Sequence, residues 1–286
     1  MLTIAKTVKE VRQYVTERRK SGATVGFVPT MGYLHEGHGS LIKRSVRECD
    51  VTVVSIFVNP TQFSPNEDLS TYPRDFEADK ALCEECGADL IFAPENSEMY
   101  CSDFTTYVEC DGVTQELCGK SRPTHFRGVC TVVSKLFNIV QPDIAYFGQK
   151  DAQQLAVIKR MVRDLNMNVK IVGCPIIRET DGLAKSSRNS YLSDAERQAA
   201  TVLSKAVLAG EKLLNEGMRD ALEIIVAMRK IIETEPIARI DYVDVVDATS
   251  MKRVSEICGD IVGAVAVFIG KTRLIDNFLW KIGDRN

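Results

Sequence analysis

The stretch that decides the fold is Pro29–His38, which reads PTMGYLHEGH. Directly before it, Thr24–Val28 reads TVGFV, a short apolar and β-branched run that is typical of a buried strand. Directly after it, residues 40–46 carry apolar side chains at helical spacing. The pattern therefore predicts that Pro29–His38 forms the turn between a first strand and a helix.

A turn of this kind is where open α/β sheets bind nucleotide phosphates, because the helix N-terminus offers unpaired N–H groups and positive dipole charge. Gly32 and Gly37 let a ligand approach the backbone closely. His35 and His38 are three residues apart and face the same side of the helix start. Such a pair favours stabilisation of a leaving pyrophosphate over hydride transfer. A zinc site is disfavoured, since the chain has only three histidines and no cysteine pair near this turn.

Strand-like and helix-like segments alternate over the following part of the chain. The predicted strands are Val51–Val58, Asp89–Pro94, Asp143–Gly148 and Val169–Ile177, and the predicted helices are Asp75–Cys86, Val129–Val140 and Ala152–Leu165. Such alternation is typical of an α/β fold with a Rossmann-like, doubly wound parallel sheet.

The pattern changes near residue 178. Ser193 and Glu196 have the spacing of a capping box, which marks the start of a helix. The predicted elements here are one long helix from Ser193 to about Glu216, a helix at Asp220–Glu233, and strands at Ile240–Asp247 and Asp260–Gly270. We therefore predict a Rossmann-like nucleotide- and substrate-binding domain at residues 1–177 and a smaller α+β domain at residues 178–286.

Charge and composition exclude several functions. The formal net charge is −3, so no basic field would attract nucleic acid. No apolar run is long enough to cross a membrane, and the N-terminus lacks the apolar core of a signal peptide. Nine cysteines without a tight spacing pattern fit a reducing compartment. These features predict a cytoplasmic protein that binds neither nucleic acid nor membrane.

Three further polar groups follow predicted strands or turns. Gly148-Gln149-Lys150-Asp151 ends a strand, where Lys150 can meet a phosphate and Asp151 can bind a ribose hydroxyl, bind a metal, or cap the next helix. Lys185-Ser186-Ser187-Arg188 suits a mobile loop that closes on ATP phosphates, although basic serine-rich loops are also common on surfaces. Asn59 and Gln62 are uncharged hydrogen-bonding residues that suit a small polar substrate, or an ordinary turn.

The chain lacks both the dinucleotide-binding GxGxxG and the P-loop. Its HxGH motif instead resembles the phosphate motif of the nucleotidyltransferase superfamily that includes class I aminoacyl-tRNA synthetases, and KSSR resembles the KMSKS loop of that superfamily. Nearly the whole chain resembles one family, the pantoate–β-alanine ligases, also called pantothenate synthetases. The resemblance rests on PTMGYLHEGH, SIFVNPTQF, SRPTHFRGV, VSKLFNIVQPDIAYFGQKDAQQL, DGLAKSSRN and RLIDN.

The resemblance implies an ATP-dependent ligase that acts with Mg²⁺ and is a homodimer. ATP and D-pantoate would form a pantoyl adenylate and pyrophosphate, and β-alanine would then displace AMP to give pantothenate. The resemblance assigns the site residues as well, with His38 as general acid. Those implied to bind ATP are Met31, Gly32, Tyr33, Leu34, His35, Glu36, Gly37, His38, Gly148, Gln149, Lys150, Asp151, Ile177, Lys185, Ser186, Ser187 and Arg188. Gln62 and Gln154 are implied to hold pantoate, with Gln62 also near β-alanine, and Asn59 and Arg122 complete the expected substrate site.

The charge on pyrophosphate would be met by His35, His38, Lys150, the Lys185–Arg188 loop and Mg²⁺, and no residue of the protein is assigned as a metal ligand. The chain departs from the family pattern at one position. The family often has the tripeptide Leu-Glu-Gly shortly before the Ser-Arg-Pro of SRPTHFRGV, whereas this chain has Leu117-Cys118-Gly119. A role of that glutamate cannot be carried onto Cys118, and we expect Cys118→Glu to be tolerated. Two alternatives remain: a nucleotidyltransferase that keeps the nucleotide in its product, and a nucleotide-binding module without catalysis.

Overall fold

The computed structural model describes residues 2–65 and 67–283. The strands are β1 Thr3–Ala5, β2 Val25–Thr30, β3 Val51–Ile56, β4 Leu90–Phe92, β5 Ile144–Gly148, β6 Lys170–Cys174, β7 Ala238–Asp247, β8 Ile261–Ile269 and β9 Thr272–Trp280. The helices are α1 Val8–Arg19, α2 Glu36–Glu48, α3 Phe76–Cys86, α4 Asn96–Met99, α5 Leu117–Ser121, α6 His125–Val140, α7 Ala152–Asp164, α8 Asp194–Ala199, α9 Thr201–Asn215 and α10 Ala221–Ile232. Short 3-10 turns lie at Pro60–Gln62, Gln149–Asp151 and Ser187–Tyr191. In the described part of the chain, every helix is too short or too polar to span a bilayer.

The contacts divide the chain into two compact units. Unit 1 comprises Met1–Cys110, Arg122–Gln149 and Val157–Pro175, and unit 2 comprises Asp111–Ser121, Lys150–Ala156 and Ile176–Asn286. The last change of unit lies two residues before the predicted boundary at 177/178. The domain limits of 1–177 and 178–286 stay a prediction, and the two short segments that unit 2 takes from earlier in the chain left no mark in the sequence pattern.

Unit 1 contains a six-stranded sheet in the order β1-β4-β3-β2-β5-β6, in which every pair is parallel. Side chains alternate across the strands, so neighbouring residues of β2 serve opposite faces. Val28 packs in a core with Ile42 of α2 and Cys83 of α3, whereas the ring of Phe27 meets Phe137 of α6 at 6.4 Å between centroids. Helices therefore cover both faces, which confirms the predicted doubly wound sheet.

Unit 2 contains a three-stranded antiparallel sheet in the order β7-β8-β9. Its core joins apolar residues of α9 and α10 to the sheet; examples are Leu203, Ile224, Val265 and Trp280. The predicted α+β character is confirmed. The RLIDN motif lies within β9, a strand that the pattern analysis had not identified.

Two details of the predicted elements are wrong. Thr24–Val28 belongs to the second strand of the chain, because Thr3–Ala5 forms β1 at the sheet edge beside β4. Three residues are too few to show a strand period. The helix after the Ser193 capping box is two helices, since α8 ends at Ala199 and α9 begins at Thr201.

Candidate active site

The turn between β2 and α2 has an unusual backbone. Gly32 has φ +81° and Tyr33 has φ +50°, both in the left-handed region that favours glycine. His35 is the N-cap of α2, and His38 is its third residue. The capping pattern that serine and glutamate usually supply is here supplied by the two histidines.

The hydrogen bonds of the two imidazoles define which nitrogen carries a proton. Nδ1 of His35 accepts from the backbone N–H of Gly37 at 3.1 Å. Nδ1 of His38 accepts from the backbone N–H of His35 at 3.2 Å. An accepting Nδ1 is unprotonated, so the hydrogen-bond network assigns the proton of each neutral ring to Nε2. With ring centroids 4.2 Å apart, the pair supplies two neighbouring N–H donors, which suits an anion.

A residue that the sequence analysis missed holds this turn in place. Asp79 of α3 is 2% exposed, and its two carboxylate oxygens accept from the backbone N–H groups of Tyr33 and Leu34. Burial raises the pKa of Asp79, and the two backbone bonds only partly oppose that effect. A signal existed in the sequence, because Asp79 shares the buried face of α3 with Cys83 and Cys86. An acidic residue on such a face needs partners.

We expect Asp79→Asn to lower kcat/KM for ATP about tenfold, the effect of losing roughly 1.4 kcal/mol of hydrogen bonding. An amide can accept from one backbone N–H, but its NH₂ group would oppose the other. A carboxyl whose folded pKa is raised contributes stability only below that pKa, so neutralising Asp79 removes an unfavourable charge at pH 7. Stability should therefore change less than activity.

Steady-state kinetics and thermal unfolding of Asp79→Asn measure both effects. Glu77→Gln is the matched control, because Glu77 is an exposed carboxylate on the same helix. Unchanged kinetics for ATP in the Asp79 variant would show that the turn keeps its shape without the carboxylate.

The expected pantoate residues of unit 1 lie in one buried network. Asn59 is 1% exposed and Gln62 is 6% exposed. The Asn59 amide donates to Gln62 Oε1 at 3.2 Å and to the Gly128 carbonyl at 3.1 Å, and it accepts from Tyr100 and Thr61. Its hydrogen-bonding capacity is used inside the protein. This geometry supports a role in holding Gln62, while direct contact of Asn59 with substrate stays a prediction.

Gln62 connects this network to the turn between β2 and α2, residues 31–38, which we call the histidine turn. Its Nε2 lies 2.8 Å from Sδ of Met31. The 3-10 turn that carries Gln62 packs closely on α6. A Cβ at Gly128 would lie 2.5 Å from the Gln62 Cα atom and from the Thr61 carbonyl oxygen. Glycine within SRPTHFRGV is therefore required by packing and not by a turn.

Arg122 makes a two-point ion pair with Glu67, with N–O distances of 2.6 Å for Nε and for Nη2. Burial alone would raise the pKa of Glu67, but the hydrogen bonds and charge of Arg122 outweigh it and lower the pKa. Nη2 of Arg122 also lies 3.5 Å from the Gln62 carbonyl oxygen. The guanidinium thus lies beside the Gln62 backbone, and contact of Arg122 with substrate stays a prediction.

A cavity of about 850 Å³ opens at the carboxyl edge of β2, β3 and β4 in unit 1. Its walls include Met31 and Gly32 of the histidine turn and the cations Lys6 and Arg74. The walls do not include His35, His38, Asn59 or Gln62. The cavity is large enough for a small acid, but its walls lack these four expected site residues, so we assign no substrate to it.

Lys150 is one of the positively charged residues of unit 2 that are expected to bind ATP. Desolvation lowers the pKa of its ammonium group, opposed by the charges of Asp151 and Asp276 and assisted by the charge of Arg188. Its backbone carbonyl accepts from Asn277 Nδ2 at 2.7 Å. Gly148 and Gln149, which precede Lys150 in the sequence, belong to unit 1.

The KSSR motif lies at the end of a tight hairpin. The backbone N–H of Lys185 donates to the Ile177 carbonyl at 2.9 Å, and Arg178 forms a β-bridge with Ala184. The expected adenine contact and the expected phosphate loop are therefore adjacent. Ser186 caps the 3-10 turn that follows, its hydroxyl accepting from the Arg188 N–H at 3.3 Å. The mobility of this loop stays a prediction.

Gln153 and Gln154 lie in the first turn of α7. Gln153 is buried and donates through Nε2 to the carbonyls of Val113 and Glu116 at 3.0 and 2.7 Å. Gln154 is half-buried at the next position. The structure thus separates a structural glutamine from the one expected to hold pantoate.

Cys118 lies in α5 with its Sγ 3.2 Å from the Tyr242 hydroxyl and 3.6 Å from Arg273 Nη2. Burial raises the pKa of Tyr242. A glutamate at position 118 would meet the Arg273 guanidinium, which supports the expectation that Cys118→Glu is tolerated.

A doubly wound parallel sheet whose strand-to-helix turn carries HxGH defines the class: a nucleotide-binding enzyme of the HxGH nucleotidyltransferase type. A sequence model described as pantoate-beta-alanine ligase matches residues 3–279. The chain belongs to the pantoate-beta-alanine ligase family and is a ligase.

Relatives and solved structures agree with this assignment. The pantothenate synthetase of Enterococcus faecalis is 60% identical over 98% of this chain and 100% of its own length. That of Clostridium acetobutylicum is 57% identical with the same coverage. A crystal structure of pantothenate synthetase from Thermus thermophilus matches with TM-score 0.92 and 46% identity, over 96% of this chain and 98% of that one. A pantoate-beta-alanine ligase from Francisella tularensis, complexed with beta-gamma ATP and beta-alanine, matches with TM-score 0.79 and 35% identity over 98% of both chains.

Proposed function

We propose that this ligase condenses D-pantoate with β-alanine through a pantoyl adenylate, converting ATP to AMP and pyrophosphate. The match to the family over residues 3–279 carries the proposal. The histidine turn supports it chemically, because two Nε2–H donors at a helix N-terminus suit a polyphosphate.

In the first step, a pantoate carboxylate oxygen attacks the α-phosphorus of ATP, and the bond to the β-phosphate oxygen breaks. The two reactants must lie in line, and such positioning supplies roughly 7–11 kcal/mol of the barrier. Gln62 and Gln154 would hold pantoate, and Asn59 and Arg122 would hold Gln62 from two sides. Ile177 and Gly148–Asp151 would hold the nucleotide.

Negative charge develops on the departing pyrophosphate. His38 would donate a hydrogen bond from Nε2 to the departing pyrophosphate, the place where the family resemblance puts a general acid, with His35 beside it as a second donor. Lys150 and the Lys185–Arg188 segment would bring positive charge and hydroxyl donors to the same phosphates. In the second step the neutral amine of β-alanine attacks the acyl carbon, the bond from that carbon to the AMP oxygen breaks, and the surplus proton of the amine passes to the departing phosphate or to water, so no base from the protein is required.

Mg²⁺ is part of the proposal as the partner of ATP. Within residues 2–65 and 67–283, no three side chains of the histidine, cysteine, aspartate and glutamate types converge on a metal site. In this proposal the ion arrives with ATP and keeps phosphate oxygens and water as ligands. It would neutralise phosphate charge during adenylation. The residues that would hold the complex are Lys150 and Arg188, through the phosphates.

We also propose a cytoplasmic homodimer. No disulfide joins the nine cysteines, all of which lie in the described part of the chain, and this supports a reducing compartment. The dimer rests on the family resemblance, and the mass in solution tests it.

The test of the function is a pyrophosphate-release assay with ATP, Mg²⁺ and D-pantoate, run with and without β-alanine. We expect multiple turnovers and pantothenate only when both substrates are present, with AMP as the nucleotide product. A product that retains the nucleotide would identify the alternative nucleotidyltransferase. ATP binding by folded protein without turnover would identify a non-catalytic module.

A further inference from the structure

The RLIDN motif contains two consecutive buried polar residues that strand formation does not require. Asp276 is 1% exposed and Asn277 is 3% exposed, both within β9. Buried polar groups are retained where they have specific partners. Asp276 pairs with Arg178, which follows the expected ATP residue Ile177, and Asn277 bonds to Lys150, an expected ATP residue of unit 2.

Asp276 holds the hairpin that carries the KSSR motif. Its carboxylate pairs with Arg178 through two contacts, 2.6 Å to Nη1 and 3.0 Å to Nη2. Arg178 also donates to the Gly182 carbonyl at 3.0 Å and bridges to Ala184. The ion pair therefore fixes both strands of the hairpin, from the residue after Ile177 to the residue before Lys185. A two-point pair of this kind restrains orientation as well as distance.

Asn277 holds the backbone segment that carries Lys150. Its Nδ2 donates to the carbonyl of Lys150 at 2.7 Å, which fixes the backbone that carries the ammonium group. The neighbouring Asp276 also acts on Lys150 through its charge. Two consecutive residues of β9 thus contact the two segments of unit 2 that are expected to bind the ATP phosphates.

We propose that Asp276 and Asn277 are positioning residues for adenylation, holding Lys150 and the Lys185–Arg188 segment in the arrangement that binds ATP. The inference rests on the proposed function. Asn277 acts through the backbone of Lys150, and Asp276 acts through Arg178 and through its charge on Lys150. Neither role requires contact with the reacting atoms.

Asn277→Ala tests the hydrogen bond from Asn277 to the Lys150 carbonyl. We expect KM for ATP in pyrophosphate release to rise about tenfold, the factor that about 1.4 kcal/mol of lost hydrogen bonding produces. KM for β-alanine should stay within twofold. Asn215→Ala is the matched control. Asn215 Oδ1 accepts from Trp280 Nε1 of β9 at 3.2 Å, so this variant also loses a hydrogen bond to β9, but one that involves none of the expected ATP residues. It should leave KM for ATP unchanged.

Asp276→Asn tests the charge. The charged groups that act on Lys150 are Asp151 and Asp276, which favour its ammonium form, and Arg188, which disfavours it. Removing Asp276 lowers the Lys150 pKa further, so the alkaline loss of adenylation should move to lower pH. Asn277→Ala changes no charge, so the pH at which adenylation is lost on the alkaline side should stay the same. The double variant Arg178→Gln with Asp276→Asn leaves no unpaired buried charge and should show the same shift.

These measurements separate the inference from the function on which it rests. Pyrophosphate release is followed across pH in variants whose circular dichroism matches the parent chain. Unchanged KM for ATP and an unchanged alkaline limb in folded variants would overturn the positioning role. Failure of the unsubstituted chain to form AMP in the same assay would overturn the proposed function instead.

Discussion

Replacing His38 with alanine should lower the rate of pyrophosphate release from ATP and pantoate by roughly 10²–10³-fold, the loss typical of removing one donor to a developing negative charge. The reason is the Nε2–H group. Because Nδ1 of His38 accepts from the backbone of His35, Nε2 carries the proton and is the donor. The fold should survive, since His38 is only partly buried.

Two further variants separate the chemical role of His38 from its part in capping α2. Asparagine places an acceptor near the Nδ1 position but no donor at Nε2, so His38→Asn should be as slow as His38→Ala. Glutamine places an NH₂ group near Nε2, so His38→Gln should recover part of the rate. Recovery by asparagine would show that capping is the only role, and a normal rate in His38→Ala would remove His38 from the mechanism.

Replacing Lys150 with methionine should reduce adenylation to a similar extent, with β-alanine use from preformed adenylate much less affected. Methionine keeps most of the side-chain volume and removes the charge. Lys159→Met is the matched control, because Lys159 is exposed on α7, the helix that follows Lys150. Single-turnover pyrophosphate release measures the effect. Equal rates for the two variants would show that the Lys150 charge does not act on the phosphates.

The pH dependence of the unsubstituted chain should reflect the same group. Burial lowers the Lys150 pKa from its ordinary value, and the ammonium form is the active one. Adenylation is therefore expected to be full below that pKa and to be lost as the pH rises through it, at lower pH than for an exposed lysine. An alkaline limb that persists unchanged in Lys150→Met would assign the limb to another group.

The sequence by itself determined the class of the fold and the position of the nucleotide turn. Strand periodicity and the Pro29–His38 pattern are local properties, set by side-chain alternation and by backbone freedom at Gly32. They identified the doubly wound sheet, which the structure confirms. The same locality explains the errors, because the three-residue β1 and the break between α8 and α9 depend on pairing and packing partners.

Only the tertiary structure decided what holds the candidate site together. Asp79 reaches the backbone of Tyr33 across 46 residues of sequence, and Asn277 reaches Lys150 across 127. Neither spacing has a local signature, because each contact exists only after separate elements pack. Asn59 shows that a local pattern can also suggest too much. The sequence suggested a substrate ligand, whereas in the folded chain both the NH₂ group and the oxygen of its amide are hydrogen-bonded within the protein. Residue types that can perform the chemistry are visible in a sequence, whereas their hydrogen-bond partners are assigned by packing.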